Sequence, residues 1–255
     1  MPKIGLVLSG GGVRGFAHLG LLQVLDELGI HLHAISGVSS GAIVGALYAA
    51  GQKPEEILSL MKDNMYFSWS NFRLNRDGFF SMQPLLDSLN KIIPKDSFES
   101  LSIRLFVTVT DFTKNKSLTF SEGRLFETIL ASSSVPVIFE PVKIGDSLLV
   151  DGGLLNNFPV EPLKNICDKL IGSHVNNIQN QKEPFKHIGK ALILERCFHM
   201  AIANTIYKKK KSCQVFVEPL LDQFGMFERN KADMIYETGY KTALKFKAEL
   251  IELQS

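Results

Sequence analysis

The sequence is short of the features that most readily announce a function. Only three cysteines occur in 255 residues, Cys167, Cys197 and Cys213. The number is odd and no C-x-x-C pair is present, which excludes a disulfide framework or thiolate zinc site and points to reduced thiols. No apolar run reaches the about 18 residues of a membrane-spanning helix. Neither sign of charge is in excess: 28 Lys and Arg stand against 26 Asp and Glu, a net +2. Nucleic acid is therefore not expected as a partner. The one basic block, Lys208 to Lys211, reads as a solvated turn or helix end. Calcium has no D-x-D-x-D-G loop, and His31 and His33 share a strand face with no third ligand nearby, so no metal is expected. No histidine stands in a recognisable acid–base pattern. The first residues enter a strand and a glycine turn at once, so no signal peptide is expected and the expected location is cytoplasmic.

What is present is enough apolar sequence for a full core, 45% of residues with only 21% charged, and a regular alternation of short strands and helices. Residues 4–8 form an apolar run stopped by Gly10-Gly11-Gly12. Phe16, Leu19, Leu22, Leu25 and Leu28 then recur at helical spacing, with Gly29 as the stop. A second strand is expected over 31–36, a small-residue helix over 42–50 closed by Gly51, and a further helix beginning at Pro54. Residues 105–110, "LFVTVT", and 147–150 are strand-like, and the chain ends in a helix expected from about 232 to 253. Strands alternating with helices imply an α/β fold with parallel pairing and helices on both faces of one sheet. No linker, repeat or low-complexity tract divides the chain, so residues 1–255 are expected to form a single domain.

Three glycine-marked turns carry the chemistry. The first, "GGGVRG" at 10–15, follows a strand and opens a helix. It matches the G-x-G-x-x-G of dinucleotide-binding folds, but such a fold wants an acidic residue at the end of its second strand. Here that strand runs into Gly37-Val38-Ser39, so no nicotinamide cofactor is expected. A side-chain-free turn at a helix N-terminus can hold any anion on its N–H groups, including a tetrahedral oxyanion. Gly10, Gly11, Gly12 and Gly15 are the candidates for that task, with Arg14 adding positive charge. The second turn, "GVSSG" at 37–41, reads as G-x-S-x-G between strand and helix. Ser39 is then a candidate nucleophile on a sharp turn, with Gly37 and Gly41 relieving crowding. The plainer alternative is that Ser39 only caps the following helix. The third, "DGG" at 151–153, puts Asp151 at a strand end, from which a parallel sheet could bring it to the same edge as the other two turns. His18, the obvious rival base, lies on an otherwise apolar helix and reads as a packed residue.

Together these motifs resemble the patatin-like phospholipase family, in which a G-G-G-x-R/K-G loop, a G-x-S-x-G elbow and a D-G-G/A turn follow in that order. "ASSSVPVIFEPV" at 131–142 is also similar to the family block before its aspartate. The resemblance covers about residues 4–165 and leaves the C-terminal third unassigned. It implies a three-layer α/β/α sandwich around a mostly parallel sheet, and a serine–aspartate dyad without histidine. Ser39 would be the nucleophile, Asp151 the general base, and the glycine loop with Arg14 the oxyanion site. It further implies hydrolysis of phospholipid, lysophospholipid or other acyl esters without a cofactor, and leaves a non-catalytic lipid-binding regulator as the alternative. Residues 65–80 hold Tyr66, Phe67, Trp69, Phe72, Phe79 and Phe80 without a clean period. They are expected to form either a small satellite core or a flap over Ser39 that makes peripheral membrane contact, with Arg73 and Arg76 near head groups.

Overall fold

The computed structural model describes residues 1–64, 80–177, 208–225 and 229–255, with isolated helical positions at 193, 196, 200 and 206. The expected flap therefore lies, apart from Phe80, outside the described residues. Phe80 forms an isolated parallel bridge with Phe139.

Among the described residues, eight strands build one mixed, mostly parallel sheet flanked by helices. The three central strands are β1 (Ile4–Leu8), β2 (Leu32–Val38) and β3 (Arg104–Asp111), and β7 (Lys169–Ser173) and β8 (Val215–Val217) extend the far side of β1. All five run parallel in the order β3-β2-β1-β7-β8. β1 is buried at every position because it is covered on both faces and paired on both edges. That burial is what its unbroken apolar sequence encodes. Beyond β3 the direction reverses. β4 (Lys116–Phe120), β5 (Val142–Ile144) and β6 (Ser147–Asp151) enter by two tight hairpins, whose turns place Asn115 and Gly145 at positive φ.

The larger core lies on the face carrying Leu6, Leu8, Ile35 and Leu105. There it packs α1 (Phe16–Glu27), α2 (Ser40–Ala49), α3 (Pro54–Asn64), α4 (Gln83–Ile92) and α5 (Leu125–Ser133). The other face buries Val7, Ala34 and Phe106 against Phe158, Val160, Leu163 and Ile206. The terminal helical stretch is broken at residues 245–246 into α6 (Ala232–Leu244) and α7 (Lys247–Glu252). α6 crosses α1 at backbone contact. A Cβ at Gly20 would lie 2.3 Å from Tyr240 N, and one at Gly239 would lie 2.2 Å from Ala17 O. α6 is thereby built onto the helix that follows the first glycine motif.

Candidate active site

The three glycine-marked turns meet at one place, by a route the sequence did not indicate. β2 pairs with residues 104–108 of β3, and Val38 lies opposite Thr108. β6 pairs antiparallel with residues 109–111 of the same strand, and Asp151 lies opposite Val109. β4 pairs with residues 107–111, so it takes the other edge, and β2 and β6 share one. The two strands thus meet end to end on a single edge of β3, with Val38 and Asp151 one rung apart. The expectation that Asp151 ends a parallel strand is therefore corrected. β6 descends from a hairpin and meets β2 head-on. A Cβ on Gly152 would fall 2.2 Å from Thr108 O and 2.8 Å from Val38 Cγ2, so only glycine lets β6 turn away at this junction.

β2 runs two residues further than the pattern suggested, and its end forces the elbow. Ser39 has φ 53 and ψ −125, a conformation that costs a non-glycine residue on the order of 1–3 kcal/mol. α2 starts at Ser40, and the Ser39 side chain makes no capping bond to it. That removes the reading of Ser39 as a mere helix cap. Gly37 and Gly41 stack backbone to backbone, because a Cβ on Gly37 would lie 2.6 Å from Gly41 O. The strained turn is held from behind by Ser132, on α5. The Ser39 N–H donates to Ser132 Oγ at 2.9 Å, and the Ser132 hydroxyl donates in turn to Thr108 O at 2.7 Å. Nothing in the sequence pattern singles out Ser132 from Ser133 and Ser134 beside it.

Ser39 and Asp151 are both buried, and the Ser39 side chain is near enough to the Asp151 carboxylate to favour its charged form. Asp151 Oδ1 also accepts from Gly153 N at 2.7 Å, and its own N–H donates to Ser134 O at 2.9 Å. Burial raises the Asp151 pKa from 3.8 to about 7, against the opposing effect of the Ser39 side chain and the Gly153 N–H. Full desolvation disfavours the charged form more than two neutral donors restore it. The result is a carboxyl group titrating near neutrality beside a serine held in a strained turn.

The glycine loop borders the same serine. Gly12 has φ 58 and opens a short 3-10 turn over Gly12–Gly15 that leads into α1. A Cβ on Gly10 would sit 3.1 Å from Ser39 Cβ, and one on Gly15 would sit 2.7 Å from Ser40 Cβ. Arg14 is buried, and its Nε donates to Phe224 O at 2.8 Å, which ties the loop to the C-terminal third. The first turn of α2 adds N–H groups with no partner inside the helix and the positive end of its dipole.

His18 is fully buried, and its hydrogen bonds go elsewhere than to this pair. Its Nε2–H donates to Ser9 O at 2.8 Å, because a carbonyl can only accept, which leaves Nδ1 to accept from the Ser173 hydroxyl at 2.7 Å. Burial lowers its pKa to about 4, so it is a neutral cross-link between strand ends. Phe139 and Phe158 lie in the larger and smaller cores, and Phe158 packs edge-on to Phe216. Two members of the lysine block are occupied. Lys209 binds Glu161 and Asn156 at 2.8 and 2.6 Å, and Lys210 lies 4.6 Å over the Phe216 ring and 3.8 Å from Glu218. Cys167 and Cys213 are free thiols whose pKa burial pushes up to about 11 and 12. Among the described residues, no three His, Cys, Asp or Glu side chains gather as a metal would require. No helix there is long and apolar enough to cross a membrane.

Comparison with known proteins bears directly on this arrangement. Residues 6–164, which contain all three turns, match the family model described as patatin-like phospholipase. An uncharacterised NTE family protein of Mycobacterium bovis is 31% identical over 65% of the chain and 46% of its own length. A lysophospholipase of Neurospora crassa is 26% identical over 98% of the chain but only 18% of its own length. The chain thus spans less than half the length of these curated relatives. The crystal structure of VipD from Legionella pneumophila shares the fold at a TM-score of 0.56, with 15% identity, over 97% of the chain and 67% of VipD. With more than half of its length matched by one family model, across the serine elbow, the aspartate turn and the glycine loop, the chain belongs to the patatin-like phospholipase family.

Proposed function

We propose that the chain is a serine hydrolase that cleaves carboxylic esters of lipids through a Ser39–Asp151 dyad. The observation that carries this reading is the placing of Ser39 and Asp151 at adjoining strand ends on one edge of β3, with the Asp151 carboxyl buried and its pKa raised to about 7. An ordinary carboxylate is too weak a base to take a serine proton with useful efficiency. Burial raises its proton affinity to where general-base catalysis works at neutral pH.

The steps follow from the positions. The ionised Asp151 accepts the Ser39 proton as Oγ attacks the ester carbonyl, and the carbonyl oxygen becomes an oxyanion. Backbone N–H groups of the Gly10–Gly12 turn and the first turn of α2 receive that charge. The tetrahedral species collapses, the C–O bond to the alcohol breaks, and the leaving alcohol takes the proton back from Asp151. Water, deprotonated by Asp151 in its turn, attacks the acyl-serine, and the fatty acid leaves as Ser39 recovers its proton.

For the substrate we propose phospholipid, lysophospholipid or a related acyl ester. The family membership, and the lysophospholipase relatives that align over nearly the whole chain, support this choice. Exposed apolar side chains near the site suit peripheral contact with aggregated lipid. Leu155 follows Asp151 by four residues, and Val137 follows Ser134, whose carbonyl binds the Asp151 N–H. Incubating wild type and Ser39→Ala with a whole lipid extract tests the proposal. Wild type should consume one or more ester lipids and release fatty acid while Ser39→Ala does neither. An extract unchanged by wild type would count against it.

A further inference from the structure

We propose that Asn157 and Asn176 are positioning residues that lock the oxyanion-binding peptide of the glycine loop, an inference that rests on the dyad reading above. Both side chains are buried, and both donate to one acceptor, the Gly10 carbonyl. Asn176 Nδ2 lies 2.6 Å from it and Asn157 Nδ2 lies 3.4 Å from it. They come from distant parts of the chain. Asn157 follows the aspartate turn, and Asn176 lies three residues past the end of β7.

The reason to hold that carbonyl lies in the peptide bond. A trans peptide is planar, and its C=O and N–H point in opposite directions. Fixing Gly10 O toward the two amides therefore fixes the Gly11 N–H on the face away from them. Among the described residues no group accepts from that N–H. The same peptide borders the nucleophile, since a Cβ on Gly10 would lie 3.1 Å from Ser39 Cβ and 2.6 Å from Asn157 Oδ1. Gly10 is wedged between the serine and one of its clamps.

Three successive glycines make such a clamp necessary. Without side chains the backbone can rotate its peptide planes at little cost, and a donor that must turn to meet the developing charge loses most of its catalytic value. The end of β7 and the residues just after it hold the turn at successive points. Ser9 N donates to Ser173 O at 3.1 Å, Val175 N donates to Ser9 Oγ at 3.0 Å, and Val175 packs where a Gly11 Cβ would be. Among the described residues, the two asparagine contacts are the ones that set the Gly10–Gly11 peptide plane. A neutral amide suits the place, because it gives a carbonyl a donor without adding a charge that competes for the oxyanion.

The test compares wild type, Asn176→Leu and Asn157→Leu on a soluble ester, and measures the binding of an alkylboronic acid. Boron bonded to Ser39 is tetrahedral and presents an oxygen in the oxyanion position. The clamp predicts that Asn176→Leu loses about 100-fold in kcat and a similar factor in boronate affinity, with KM within about twofold of wild type. Asn157→Leu, which removes the longer bond, should lose about tenfold in kcat at unchanged KM. A merely structural asparagine would lower the melting temperature without this split. If Asn176→Leu does not fold, Asn157→Leu decides. An active wild type beside a folded variant with unaltered kcat overturns the clamp and leaves the dyad standing. A rise in KM alone also overturns it, because it assigns the asparagines to ground-state binding. A wild type that neither turns over ester nor binds boronate overturns the dyad reading and the clamp with it.

Discussion

The pH dependence of ester hydrolysis should follow the titration of Asp151. Its carboxyl is buried and its pKa is raised to about 7, so only about one molecule in a hundred carries the ionised base at pH 5. On a water-soluble ester, kcat/KM should therefore fall about tenfold per unit below pH 7, to about 1% of its plateau at pH 5. An unshifted carboxylate would retain about 90% of the plateau there. The same shift appears in stability. The folded pKa lies above the unfolded value of 3.8, so the contribution of Asp151 is fully present below about pH 4. It is lost as pH rises through 7, because the unfolded chain sheds the proton more readily. The difference amounts to about 4 kcal/mol. Asp151→Asn keeps the shape without ionising, so in urea denaturation it should be the more stable protein at pH 8, and the gap should close towards pH 4. Activity held flat to pH 5, or an Asp151→Asn protein no more stable than wild type at pH 8, would refute this reasoning.

Ser39→Ala and Asp151→Asn should each abolish hydrolysis, and the double variant should be little worse than either, because the two groups act as one unit; kcat/KM for the three proteins checks this. Ser132→Ala leaves the buried Ser39 N–H without its acceptor, at a cost of about 1–3 kcal/mol. It should lower both the melting temperature and kcat, and Ser132→Thr, which keeps the hydroxyl, should recover part of each. His18→Ala removes two buried hydrogen bonds and should destabilise the protein by a similar amount. Its turnover per folded molecule should nevertheless stay near that of wild type. A stable but inactive His18→Ala with an active Asp151→Asn would transfer the role of base to the histidine.

The readable parts of the sequence were those where local physics sets the outcome. The unbroken apolar run of β1, the helical spacing from Phe16 to Leu25 and the glycine turns all lie where they were expected. So does the strand–turn–helix context of Ser39. The direction of β6 was not readable, because it is decided by two hairpins and by which edge of β3 is left vacant above β2. A five-residue strand reads the same in either direction. Ser132, Asn157 and Asn176 were missed for a related reason. Each acts through hydrogen bonds to backbone groups distant in sequence, and no periodicity marks such a residue. Arg14 was placed at the right turn, yet its bond to Phe224 O depends on a segment 210 residues away. The terminal helix was anticipated, but not that Gly239 would be its point of contact with α1.

The measurement that bears most directly on the central claim is the site of covalent capture by a fluorophosphonate. Phosphonylation requires a serine oxygen made nucleophilic by a base, and mass spectrometry of the digested protein identifies which serine reacted. The account predicts one phosphonyl group per chain, on Ser39, formed at a rate that rises with pH through about 7 and lost in Asp151→Asn. No adduct, an adduct on another serine, or undiminished labelling of Asp151→Asn would contradict it.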